Sequence, residues 1–305
     1  MPQINTIVDT TVGITVLADI NAYVLGYYVT RGQLFNGSIN CAYATSTGSV
    51  TDFDNHQWID NSSGGSFSAP RLAYMPVGGR NAGRLFSTWN QQGTIWIGEL
   101  QLALDANSVV SVTGIVQIKS LVGRSTVSDP ALVVVGHQVV VAYQQSDSSL
   151  DMAISNDVVA DPGEFTFTSV GGLGESTSAA PALTAQNGQL FLAWKGSGNN
   201  DVSVAGYNLG SNRSFSKTSM LGLTEDGPAI TVANGELYLA YLQPVDKHVC
   251  TWPQSDWNKV GAKFLGAVSS APPSLCPSAD GTQLVLAWLG VDQPNGHANV
   301  EFDSF

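Results

Sequence analysis

The stretch "AAPALTAQNGQLFLAWKGSGNNDVSVAGYN", residues 179–208, decides how the whole chain is read. Pro181 opens a short apolar run at a place where a missing N–H does little damage to a sheet. Asn187-Gly188 is a strong hairpin signal, because both turn positions favour positive φ. The run "QLFLAW", residues 189–194, is nearly all apolar, which predicts a strand buried on both faces. A polar loop follows. "DVSVAGY", residues 201–207, alternates more and predicts a third strand nearer the rim. "SFSKTSM", from Ser214, predicts a fourth.

The same order recurs along the chain. "DPALVVVGHQVVVAYQQSDSSLDMAISN" begins at Asp129, "GPAITVANGELYLAYLQPVDKHVCTWPQ" at Gly227 and "APPSLCPSADGTQLVLAWLGVDQPNGHANVEF" at Ala271. Weaker copies begin at Ser68, "SAPRLAYMPVGGRNAGRLFSTWNQQGTIWIGEL", and at Gly13, "GITVLADINAYVLGYYVTRGQLFNGSINCAYAT". Pro70, Pro130, Pro181, Pro228 and Pro273 are separated by 60, 51, 47 and 45 residues. A period near about 50 residues with four strands per unit predicts an all-β, six-bladed β-propeller. The expected blades are residues 10–65, 66–126, 127–177, 178–225, 226–269 and 270–305 with 1–9. The last unit stops one strand short and "QINTIVDTT", from Gln3, precedes the first, so the N-terminal strand is expected to complete the last blade and close the ring. The whole chain reads as one domain.

Composition agrees. Hydrophobic residues make up 43% and charged residues 12% of the 305, about half the usual charged share, and there are 32 glycines. The net charge is −12, which disfavours nucleic acid and anionic membrane surfaces as partners. Neutral ligands such as sugars stay open. Cys41, Cys250 and Cys276 have no metal-ligand spacing, so no zinc site, cofactor or disulfide framework is expected. No stretch reads as a signal peptide or a membrane span, which points to cytoplasmic synthesis and leaves non-classical export open. The "NGS", "NSS" and "NRS" asparagines read as turn residues.

In such a ring the loops between second and third strands share a face with the lead-in to each innermost strand. That face collects an aromatic followed by a polar segment from each unit: Trp89 with Gln91, Tyr143 with Gln144 and Gln145, Trp194 with Lys195, Tyr241 with Gln243, and Trp288, with Tyr27 and Tyr28 in the first. Two roles fit these rings. They could stack on sugars while the amides and Lys195 bond hydroxyls, or they could be wedges packing one blade on the next.

The "PAL…NGQLFLAWKG…V" unit resembles repeats of propeller proteins related to fucose-specific lectins, clearly over the last two-thirds of the chain. The resemblance implies a six-bladed ring binding glycans between blades, with an Arg, a Glu and a Trp in each pocket. Here Arg31, Arg71, Arg80, Arg84, Arg124 and Arg213 do not recur at one repeat position, so fucose specificity does not carry over. A glycan-binding protein is the leading expectation. A glycosidase or sialidase-like enzyme is the alternative, with Asp129, Glu225, Asp226 and Asp19 as candidate acids and Arg71 as the well-placed cation. An interaction scaffold or toxin component is the third. His56, His137, His248 and His297 fall in different units and form no triad, and "DFDN" at Asp52 lacks the rest of a calcium loop.

Overall fold

The computed structural model describes the chain except residues 1–2, 8–11, 30–39, 48–54, 61–67, 69, 78–82, 107–108, 162–164, 210–213, 221–223, 258–262, 291–296 and 304–305. The strands are short, antiparallel to their neighbours and joined by tight turns. They begin with β1 (Gln3–Ile7), β2 (Gly13–Leu17), β3 (Ala22–Val29), β4 (Asn40–Thr47) and β5 (Asn55–Asp60). β6 (Arg71–Met75), β7 (Arg84–Gln91), β8 (Thr94–Leu104) and β9 (Val110–Ser125) form a second sheet, after the first, β2 to β5. The third is β10 (Ala131–Val135), β11 (Gln138–Gln144), β12 (Ser149–Ser155) and β13 (Phe167–Ser176). The fourth is β14 (Ala182–Gln186), β15 (Gln189–Lys195), β16 (Val202–Tyr207) and β17 (Ser214–Met220). The fifth is β18 (Ala229–Ala233), β19 (Glu236–Leu242), β20 (His248–Pro253) and β21 (Lys263–Val268). The sixth joins β22 (Ser274–Pro277), β23 (Leu284–Leu289) and β24 (His297–Asp303) to β1, from the other end of the chain.

The first strands of the six sheets, β2, β6, β10, β14, β18 and β22, touch in a closed ring: each contacts the next, and β22 returns to β2. Packing is close enough to dictate side chains. A Cβ on Gly13 would collide with the Pro70 carbonyl, and one on Gly227 with that of Ala180. Asn187 and Gly188 have φ of 51° and 77°, the paired left-handed turn their sequence calls for, and Gln186 pairs directly with Gln189 across it.

The core is not central. It is divided into six apolar clusters, one in each seam between neighbouring sheets. Leu183, Leu192, Trp194 and Tyr207 meet Val140, Met152 and Leu173 between the third and fourth, for example. Leu275, Leu286 and Trp288 meet Tyr238, Ala240 and Leu242 between the fifth and sixth. This layering corrects the expectation for third strands. Every residue of β16 is buried, although its sequence alternates, because a seam presses on each of its faces. Among the described residues, the fourth strands β9 and β13 run substantially exposed.

Candidate functional site

The lead-ins to the innermost strands share a hydroxyl device. Thr126, Thr177, Thr224 and Ser269 each lie four residues before a proline, and each is buried. Each hydroxyl donates to the carbonyl two residues on, that of Ser128, Ala179, Asp226 or Ala271, at 2.7–2.9 Å. It also accepts that residue's amide N–H. Their own N–H groups donate to loop carbonyls of the preceding sheet, those of Gly93, Ser148, Asn200 and Lys247. The following residues, Val127, Ser178, Glu225 and Ser270, donate to Gln144, Lys195, Leu242 and Leu289 of their own sheet. The result is a stitched face on which the ends of β11, β15, β19 and β23 are set by backbone bonds.

On that face the predicted rings turn inward. Trp89, Tyr143, Trp194, Tyr241 and Trp288 are all 0–3% exposed, as is Tyr27. Tyr143 packs with Ile95, Ile97 and Leu121 of the preceding sheet. Trp194, Tyr241 and Trp288 likewise meet the sheet before their own. These rings fill seams and offer no face on which a sugar could stack. In three sheets the residue after the ring clasps the next lead-in: Asn90 Nδ2 donates to Thr126 O (3.4 Å), Gln144 Nε2 to Thr177 O (2.8 Å) and Lys195 Nζ to Glu225 O (2.7 Å). Gln91 is buried as well. Gln145, Lys195 and Gln243 are the predicted residues that reach the surface in part. The side chains of Tyr28, Cys41, His56 and His297, with Arg31, Asp52, Arg80 and Arg213, lie outside the described residues.

The candidate acids do not converge. Asp129 pairs with Arg71 at 3.6 Å. Glu225 faces Lys247 at 3.8 Å, and Asp226 accepts its neighbour Gly227 N–H. Asp19 sits on the opposite face, in the turn between β2 and β3, where it accepts the Tyr74 hydroxyl at 2.6 Å. His137 and His248 each stand beside an aspartate of their own sheet. Among the described residues no three His, Cys, Asp or Glu side chains group as metal ligands would. The cavity on the ring axis, lined by Arg71, Ser274, Pro181 and Pro228, measures about 70 Å³. That volume suits a few waters and falls far below the ~300 Å³ of a usual small-molecule site.

One seam departs from the others. Opposite Tyr143 on the neighbouring strand stands Asp151, where the fourth and fifth sheets have Ser203 and Cys250. Asp151 is buried, and its Oδ2 accepts from Tyr143 OH (3.0 Å), Gln145 Nε2 (3.0 Å) and Arg124 NH1 (3.4 Å). Its Oδ1 accepts the Met152 N–H at 2.8 Å. Burial, reinforced by the Asp151 carboxylate, pushes the Tyr143 phenol well above its ordinary range, so it stays a donor. Arg124, at the end of β9, bridges the second sheet to this cluster and lines a groove of about 360 Å³ between β9 and the start of β13. The groove has an apolar floor: Phe165 is buried, with the half-buried Phe167 edge-on to it at 5.7 Å between centroids. Ser120, Thr166 and Ser169 supply hydroxyls, and Lys119 and Arg124 supply charge. Sequence reasoning placed Gln145 and Tyr143 near a site but missed Asp151, Lys119, Phe165 and Phe167; the Asp151 position, for one, holds Ser203 and Cys250 in the next two sheets, so no repeated residue type marks it.

No protein-family model matches the chain, and no curated protein matches it in sequence. Solved structures match its shape. The Trypanosoma rangeli sialidase in complex with the inhibitor DANA aligns with a TM-score of 0.63 and 14% identity, over 97% of this chain and 54% of that one. The chain is a β-propeller. AofleA from Arthrobotrys oligospora aligns at 0.64 with 10% identity, over 98% of this propeller and 87% of that chain. The phage phi92 endosialidase aligns at 0.55 with 11% identity, over 99% and 68%. At such identities the likeness is one of fold, and the propeller spans about half the length of the Trypanosoma sialidase. Among the described residues no helix is long and apolar enough to cross a membrane.

Proposed function

We propose that this propeller is a lectin-like protein that binds carbohydrate without turnover, in the groove between its second and third sheets. The observation that carries the reading is the groove itself. Its volume of about 360 Å³ lies within the ~300–1,000 Å³ of small-ligand sites, and it combines an aromatic floor with hydroxyl and cationic groups at its walls. A saccharide ring presents an apolar C–H face to Phe167 and its hydroxyls to Ser120, Thr166 and Ser169. Asp151 holds Arg124 against the third sheet, so the cation is positioned before any ligand arrives. The stitched face, with Lys195 and Gln243, forms a second and shallower polar surface.

A hydrolase needs paired carboxylates at a water-excluding centre. The small axial cavity and the ion-paired Asp129 give that reading no support. The test is a glycan array followed by calorimetry on the hits. Phe167→Ala and Arg124→Gln are expected to weaken binding by tenfold or more while the melting temperature stays within a few degrees. Lys195→Gln is expected to leave binding unchanged, and loss of binding in that variant would move the site to the stitched face. Absence of any saccharide binding at millimolar concentration, or release of product from chromogenic glycosides, would overturn the proposal.

A further inference from the structure

The groove is electrostatically unlike the molecule that carries it. The chain has a net charge of −12, yet residues 106–128 contain no aspartate or glutamate, and that segment supplies one whole wall as β9. Among the described residues the lining carries Lys119 and Arg124 and no carboxylate. Asp151 offsets Arg124 from beneath, since it is buried and bonded to one guanidinium nitrogen only, NH1. Lys119 is exposed and forms no ion pair among the described residues. The site therefore holds a surplus positive charge beside a guanidinium whose remaining N–H groups form no hydrogen bond among the described residues. A fork of guanidinium donors matches the paired oxygens of a carboxylate or sulfate, and an ammonium adds a point charge that needs no fixed direction.

We propose that the groove selects acidic saccharides, with a carboxylate or sulfate of the sugar placed between Lys119 and Arg124 and the ring over Phe167. This rests on the carbohydrate reading of the same groove and adds the chemical class. Hydroxyl groups at the walls and an aromatic floor suit a sugar ring, which offers hydroxyls of its own and an apolar C–H face.

The experiment pairs each acidic glycan with a neutral twin: uronate oligosaccharides with their methyl esters, and sulfated oligosaccharides with desulfated ones. The acid is expected to bind at least tenfold tighter than its twin, and the preference is expected to shrink between 50 and about 500 mM salt as screening sets in. Lys119→Gln should abolish the preference and Lys119→Arg should retain it, with melting temperatures unchanged in both. The uronate and sulfate arms separate the two anion types. Equal binding of acid and twin would overturn this inference and leave the carbohydrate reading standing. Displacement of the acidic glycan by poly-glutamate at equal charge concentration would also overturn it, since the groove would then read charge alone. Binding of no glycan in either form would remove both.

Discussion

Trp194 shows how one residue type serves architecture while resembling a binding group. It is 1% exposed, and the Lys217 ammonium lies 5.3 Å from the centre of its ring, held there by Glu175 at 2.6 Å. Trp194→Ala is expected to cost about 3–5 kcal/mol, the range for emptying a buried aromatic site, and to lower the urea midpoint accordingly. Glycan binding in the groove, which Trp194 does not line, should persist wherever the variant remains folded. An aromatic recurring at the end of every second strand was legible in the sequence, but its direction was not. A ring followed by Lys or Gln reads equally as a sugar platform and as a wedge, and only the neighbouring sheet decides. Asp151 was illegible for the opposite reason. Nothing marks a single aspartate in "SLDMAIS" until the fold sets it against Tyr143 and Arg124.

At the scale of elements, the strands were readable and the joints were not. Proline spacing, Asn-Gly turns and apolar second strands suffice to lay out the repeat, since each follows from local backbone preference. The Ser or Thr four residues before the proline escaped notice, because a hydroxyl in a polar linker looks like any solvated residue. In the structure it fixes where β10, β14, β18 and β22 begin. Thr177→Val keeps the shape of the side chain but strands the Ala179 amide, so a loss of about 1–2 kcal/mol is expected in denaturant unfolding. Thr177→Ser, which keeps the hydroxyl, should recover most of it. The long β9 belongs to this scale too. Its sixteen residues outlast every other strand, and the surplus length forms the wall on which Lys119 and Arg124 stand.

At the scale of the whole molecule, burial of ionisable groups in the seams sets an alkaline limit. Tyr23, Tyr74, Tyr143, Tyr238 and Tyr241 are all raised above the ordinary value of 10.0, with desolvation the leading cause in each. Burial also pushes the Cys250 thiol from 9.0 to about 11. A group whose folded value is raised contributes stability that is complete below its unfolded value and fades as pH climbs through the folded one. The melting temperature is therefore expected to hold to about pH 9 and then fall steeply above about pH 10, with phenolate absorbance appearing together with unfolding. A melting temperature unchanged at pH 11 would contradict the burial of these phenols.

The pairing of β1 with β24 carries a consequence in time. Gln3 lies opposite Asn299, so the last ladder joins residues nearly the full length of the chain apart. Closing so long a loop is entropically slow relative to forming a hairpin. Five sheets are built from continuous segments and can assemble in order behind a ribosome, while β1, made first, waits unpaired until β22, β23 and β24 emerge to complete the sixth. That ladder is then the latch of the ring. The rate at which it opens, more than the strength of any single seam, is expected to govern how long a folded molecule survives.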